Sequence, residues 1–149
     1  MTATKIRNGD WVVVCDGAKA LIFENAGDAD LINLVTREAV SAEQNPATSE
    51  QGADRPGRVH QSVGSSRSSV EQTDWHDRAE HAFLRDLAGR LDRAVENREM
   101  KAIVLVAPPR AMGVLRAELT PRVDKVVKGE ITKDYTGMPI DQIEKHLAA

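Results

Sequence analysis

Five basic residues of the chain are predicted to gather at one place and to face an anion. They follow predicted strands or lie in the polar segment that precedes the long helix: Arg55, Arg58, Arg67, Arg110 and Lys133. Arg110 is the most informative of them, because it follows Pro108-Pro109 and so falls in the first turn of a predicted helix, where the dipole disfavours a cation. We therefore expect an anion beside Arg110, either a bound phosphate or an internal partner such as Asp16 or Asp134.

The carboxylates do not follow the pattern of a two-metal nuclease. Such an enzyme needs clustered acids to hold its metal ions, and Asp16, Asp77 and Glu80 are the candidates. The apolar run at 102–107 is followed by two prolines and supplies no acid, so we expect no such activity.

The histidines and the cysteine give no catalytic signature either. His76 and His81 are five residues apart, whereas zinc-binding helices place two histidines four apart. Cys15 lies in an apolar run, which favours core packing over a reactive thiol. No metal and no cofactor are expected. Asp16, Gln61 and Asp134 remain as polar groups at the edge of a possible site, although Asp16-Gly17 is also a typical hairpin turn.

Hydrophobic patterning predicts the elements that position these residues, in the order β-β-β-α-β-α-β-α. The predicted strands are residues 11–15, 18–24, 31–38, 102–107 and 126–131. The three predicted helices are residues 74–96, a helix that begins at Pro108-Pro109 and that Pro121 ends or bends, and residues 139–147. Residues 41–73 are rich in Ser, Gln, Gly and Pro and lack periodicity, which predicts a long flexible loop that includes 65–69 (SSRSS).

Two of the predicted strands decide the topology. Residues 11–15 and 102–107 are apolar throughout, as in strands buried on both faces, so they are expected to pair in parallel at the centre. The resulting sheet order is 3-2-1-4-5, which is the ribonuclease-H-like arrangement. The carboxyl ends of four strands then share one edge, where open α/β sheets bind ligands and where helix N-termini favour anions.

Composition places the chain among globular proteins. It has 149 residues, of which 41% are hydrophobic, and is expected to form one domain over 1–149. Its formal net charge of −3 disfavours a general nucleic-acid coat protein but permits a local basic patch. Residues 1–10 lack the apolar core of a signal peptide, and no apolar run approaches the ~20 residues of a membrane span. We therefore expect a cytoplasmic protein without a membrane partner; the pattern assigns no oligomeric state.

Four segments together resemble one family. They are 13–24 (VVCDGAKALIFE), 54–58 (DRPGR), 104–110 (VLVAPPR) with Gly113, Leu115 and Arg116, and 133–136 (KDYT) with Pro139. This combination resembles the bacterial host-attachment family, whose members are described as required for attachment to host cells. That family is in turn similar to the middle domain of archaeal and eukaryotic peptide-chain release factors, which implies a ribonuclease-H-like fold. The Gly-Gly-Gln loop that promotes peptidyl-tRNA hydrolysis is replaced here by 63–67 (VGSSR).

Three functions follow as alternatives from the residues and the resemblance. The first is a cytoplasmic, non-catalytic module that binds RNA, the ribosome or a phosphate ligand, so that any effect on attachment is indirect. The second is a hydrolase acting on a phosphorylated substrate or a tRNA ester, with Asp16 and Gln61 as candidates for positioning water. The third is a surface adhesin exported without a recognisable signal. We expect the first, with catalysis absent.

Overall fold

The observed elements follow the predicted order along the chain. The computed structural model describes residues 5–42 and 65–148, with side chains described outside 65–76. The strands are β1 (Trp11–Cys15), β2 (Lys19–Asn25), β3 (Leu34–Ser41), β4 (Ile103–Val106) and β5 (Val127–Ile131). The helices in this part of the chain are α1 (Ser65–Glu96), α2 (Pro109–Glu118), α3 (Pro121–Asp124) and α4 (Ile140–Ala148).

The five strands form one mixed sheet in the predicted order β3-β2-β1-β4-β5. β1 pairs in parallel with β4, with Val13 opposite Leu105, and β4 pairs in parallel with β5. β2 is antiparallel to both β1 and β3. The carboxyl ends of β1, β3, β4 and β5 therefore lie on one side, which we call the carboxyl edge; the opposite side is the amino edge.

Helices cover both faces of the sheet because the central strands are apolar on both. On one face, Val13 and Leu105 pack in a core with residues of α1, α2 and α3, including Leu84 and Leu91. On the other face, Val12 and Val104 pack with α4 and with the segment before β1; this core includes Ile143. The sheet is the middle of three layers, as the uninterrupted Val and Ile runs predict.

The prediction of three helices is wrong, because the region of Pro121 forms a helix of its own. α2 ends at Glu118, and the following residue, Leu119, is extended. Thr120 then caps α3: its Oγ1 accepts a hydrogen bond from the Val123 amide at 3.3 Å, and Pro121 occupies the first helical position. Four helices are thus present in the described part of the chain.

α1 begins nine residues earlier than predicted, so residues 65–73 are helical rather than part of a flexible loop. Their sequence has no apolar periodicity, but it contains neither glycine nor proline, and an established helix extends at little cost. Ser41, also predicted as loop, is the last residue of β3, and residues 43–64 of the predicted loop lie outside the described part of the structure. Neither α1 nor any other described helix is apolar enough over a sufficient length to cross a bilayer.

β3 begins at Leu34 instead of residue 31, because two side chains hold the preceding residues in a turn. Asp28 Oδ1 accepts hydrogen bonds from the amides of Asp30 and Leu31 at 2.9 and 2.8 Å. Asn25 Oδ1 accepts from the amides of Gly27 and Asn33. The three residues before Leu34 therefore belong to the turn and not to the strand. The alternation of apolar residues does not show this, because it does not report side-chain hydrogen bonds to the backbone.

Candidate functional site

Four of the eight residues predicted for a site lie at the carboxyl edge. Asp16 follows β1, Arg110 is the second residue of α2, which follows β4, and Lys133 and Asp134 follow β5. Arg67 lies in the first turn of α1, where only the backbone is described. The remaining three, Arg55, Arg58 and Gln61, lie outside the described residues.

Asp16 shapes the turn between β1 and β2, as the consecutive residues Asp16-Gly17 predict. Its Oδ1 accepts hydrogen bonds from the amides of Ala18 and Lys19, both at 2.8 Å. The Asp16 amide donates to the Lys19 carbonyl at 2.9 Å. One carboxylate oxygen is therefore used to close the hairpin, in the manner of an Asx turn.

The other oxygen of Asp16 meets the loop that follows β5. Thr136 Oγ1 lies 3.2 Å from Asp16 Oδ2 and 2.6 Å from Asp134 Oδ1. The residue Thr136 is 8% exposed, and its backbone amide also donates to Asp134 Oδ1 at 3.0 Å. The two hydrogen bonds that Asp134 accepts, from the Thr136 hydroxyl and from the Thr136 amide, lower the pKa of Asp134, with a smaller attraction from Lys19. One hydroxyl thus joins the loops after β1 and β5.

α1 contacts the turn between β1 and β2 through Glu80. A Cβ added at Gly17 would overlap the Glu80 side chain, so another residue at this position would require Glu80 to move. Glu80 Oε1 also lies 3.4 Å from Arg110 Nε, and Arg110 donates a hydrogen bond to Asp77. The β1–β2 turn, α1 and α2 therefore meet at one point.

The anion beside Arg110 is supplied by the chain, but by different acids from those predicted. Asp77 and Glu80 of α1 take this position, whereas Asp16 and Asp134 contact Thr136. The Arg110 side chain remains 66% exposed and that of Asp77 48% exposed. An ion pair this exposed contributes on the order of 0–1 kcal/mol, so an incoming anion can compete for Arg110 at small cost.

α1 is longer than the sheet that it covers. Among the residues of α1 whose side chains are described, 77–96, the first buried one is Leu84, and Glu80 already lies over the turn that follows β1. The preceding part of α1, from residue 65 to 79, corresponds to roughly 22 Å of regular helix at 1.5 Å per residue. The helix therefore extends past the carboxyl edge.

Among the residues whose side chains are described, three exposed cations lie at the ends of three different strands on the carboxyl edge. Lys19 begins the antiparallel strand β2, Arg110 follows β4, and Lys133 follows β5. Lys19 was not predicted as a site residue, because the prediction considered the segments that follow the carboxyl ends of strands, whereas Lys19 lies at the amino end of β2. Thr136 was not predicted either, since nothing in the sequence marks a single threonine as the link between two loops.

The pKa shifts of Cys15 and Asp134 bear on what these two groups can do chemically. Burial, with a smaller effect of Asp16, raises the pKa of the Cys15 thiol to about 12, so the thiolate is not accessible near neutral pH. Asp134, with its lowered pKa, is a weak general base. Among the described residues, no three His, Cys, Asp or Glu side chains are grouped so as to hold a metal ion.

Comparison with known proteins assigns the family. No curated protein matches the chain. Residues 11–147 match the family described as "Protein required for attachment to host cells", a match that runs from the start of β1 into the last turn of α4. It includes the turn at Asp16, the Arg110 region and the loop with Thr136, and it suggests a role in host attachment. The chain belongs to the host-attachment family.

Proposed function

We propose that the protein is a non-catalytic module that binds RNA, either free or within the ribosome, at its carboxyl edge. The observation that carries the proposal is the set of exposed cations Lys19, Arg110 and Lys133 at the ends of three strands. Phosphate groups bind lysine as a point charge and arginine through its planar fork. The edge is also where open α/β sheets bind their ligands.

The proposal of binding without catalysis is supported by how the acids at the edge are used. Asp16 and Asp134 both contact Thr136, and Asp16 also holds the hairpin turn. Asp77 and Glu80 balance Arg110. Each of these carboxylates has a structural partner, whereas a general base needs a carboxylate that is directed at a substrate proton.

The location and the wider fold relationship belong to the same proposal. We infer a cytoplasmic protein whose effect on attachment is indirect, since an RNA partner is found inside the cell. The sheet order β3-β2-β1-β4-β5 supports a ribonuclease-H-like fold and a likeness to the release-factor middle domain. Recovery of the native protein from the outer surface of fractionated cells would overturn this location and favour an adhesin.

The binding test compares two double variants that remove the same charge. Lys19→Gln with Lys133→Gln removes two cations at the carboxyl edge; Lys101→Gln with Lys125→Gln removes two exposed lysines near the amino edge. Affinity for a fluorescent single-stranded RNA is measured from 50 to 200 mM salt. A plot of the logarithm of the binding constant against the logarithm of salt concentration has a negative slope. The first pair is expected to reduce the magnitude of that slope by about 1.4, because each phosphate contact on a single strand contributes about 0.7.

The control pair is expected to retain the affinity and the slope of the natural protein. An equal loss of RNA affinity in both double variants would show that RNA is attracted by the overall charge of the protein. That result would overturn the carboxyl edge as the site. Absence of RNA binding by the natural protein would overturn the proposed function itself.

A further inference from the structure

The exposed side of α1 carries three basic side chains in one line. Arg78, His81 and Arg85 are spaced three and four residues apart, so they share one face of the helix. We call these residues the α1 stripe. With Asp77 they line an open depression of about 480 Å³. The stripe is about 10 Å long at 1.5 Å per residue.

One acid of the neighbouring helix faces the stripe. Glu118 of α2 lies 2.8 Å from His81 Nε2 through Oε2, and 3.9 Å from Arg85 Nε through Oε1. The longer separation is beyond hydrogen-bond distance. The Arg85 side chain is 63% exposed. Asp77, at the other end of the depression, already accepts a hydrogen bond from Arg110. Glu118 is thus shared between two basic groups, and Arg85 is held only loosely.

We propose that the α1 stripe binds the phosphodiester backbone of single-stranded RNA. The proposal rests on the proposed function and names a surface for it beyond the carboxyl edge. A stripe of about 10 Å corresponds to about three nucleotides at the rise of about 3.4 Å per nucleotide of a stacked strand. The depression is open, which suits a chain passing over the surface; sites for small molecules enclose most of the ligand.

Glu118 sets the affinity of the stripe. A phosphate that binds Arg85 competes with the Glu118 carboxylate, because both are anions directed at the same guanidinium. Replacing Glu118 by Gln removes that competition and keeps the size of the side chain. The variant Glu118→Gln is therefore expected to bind RNA more tightly, whereas removal of the arginines weakens binding. A stripe with only a structural role predicts no gain for Glu118→Gln.

The experiment measures fluorescence anisotropy of a labelled 12-nucleotide oligouridylate with the full chain. Arg78→Gln with Arg85→Gln is expected to weaken binding about fivefold or more, the effect of about 1 kcal/mol. Glu118→Gln is expected to tighten RNA binding by about twofold to fivefold, because a single phosphate contact, that with Arg85, becomes stronger by up to about 1 kcal/mol. The matched control, Arg93→Gln with Arg98→Gln, removes two exposed arginines near the other end of α1 and is expected to bind like the natural protein.

Each remaining outcome counts against a particular claim. Binding that is insensitive to the stripe variants but falls in Lys19→Gln with Lys133→Gln overturns the α1 stripe and leaves the proposed function standing. No binding by the natural protein overturns both. Displacement of the RNA by polyglutamate as readily as by unlabelled RNA overturns RNA as the occupant. If Arg78→Gln with Arg85→Gln fails to fold, the RNA affinity of Glu118→Gln tests the proposal alone. An affinity equal to or lower than that of the natural protein overturns the α1 stripe.

Discussion

The hydroxyl of Thr136 lies 3.2 Å from the carboxylate of Asp16, although 120 residues separate the two in sequence. Asp16 closes the turn after β1, and Thr136 belongs to the loop after β5, so this contact joins two strands that are not neighbours in the sheet. The same turn is covered on its other side by Glu80. The hydroxyl of Thr136 thus links two loops of the carboxyl edge, and Lys19 and Lys133 belong to the segments that this contact joins.

Replacing Thr136 by Val is expected to destabilise the fold by about 1–3 kcal/mol at pH 7, because a buried donor to a carboxylate is lost. Urea unfolding measures the difference. Thr132→Val, an exposed change in the same loop, is the control and is expected to be neutral. A Thr136→Val protein as stable as the natural one would show that the hydroxyl does not hold the loop.

The effect of Thr136→Val is expected to depend on pH. The pKa of Asp134 is lowered in the folded state from its ordinary 3.8, so its ionised form stabilises the fold above that pH. This stability is lost as the pH falls through the lower, folded pKa. The difference between the natural protein and Thr136→Val is therefore expected to shrink below about pH 4, near the unfolded carboxyl pKa. A difference that grows with acidity would contradict the assignment.

Asn25 is expected to be among the least replaceable polar residues. It is fully buried, its Nδ2 donates to the carbonyls of Ile6, Arg7 and Asp28, and its Oδ1 accepts from two amides. Asn25→Ala removes all five hydrogen bonds, and within the described part of the chain only the Arg7 carbonyl keeps a partner, the Asp10 amide; the change is expected to cost about 3 kcal/mol or more, at about 1–3 kcal/mol for each unsatisfied buried group. Thermal unfolding tests this, with the exposed Asn33→Ala as control.

Gly17→Ala is expected to destabilise the protein by about 1 kcal/mol or less, since the added methyl group overlaps the Glu80 side chain, which is flexible enough to move aside. The double variant with Glu80→Ala removes the overlap and is expected to recover most of the loss. A double-mutant cycle in urea measures this coupling. Purely additive effects would show that Glu80 does not rest on the turn.

Arg98→Gly is expected to stabilise the protein by about 1 kcal/mol, because a non-glycine residue is strained in the left-handed region. Arg98 has a φ of 65° just after α1, at the position where glycine commonly ends helices. Arg98→Ala keeps the strain and serves as the control for loss of the side chain. A midpoint of thermal unfolding that falls in Arg98→Gly but not in Arg98→Ala would contradict this reading.

The order of the strands follows from sequence, whereas several boundaries and contacts do not. The apolar runs at β1 and β4 require burial on both faces, which is enough to place them side by side. The start of α1 at Ser65 escaped prediction because polar residues extend a helix without any periodic signal. The partners of Arg110 were mistaken for a related reason: Asp77 reaches it only because α1 passes beside the start of α2.

Binding of RNA at the carboxyl edge can be measured inside the cell. RNA crosslinked to the tagged protein by ultraviolet light is quantified for the natural chain, for Lys19→Gln with Lys133→Gln, and for Lys101→Gln with Lys125→Gln. We expect substantial RNA on the natural chain and on the amino-edge pair, and several-fold less on the carboxyl-edge pair. Equal recovery from all three proteins, or none from the natural chain, would contradict binding at this edge.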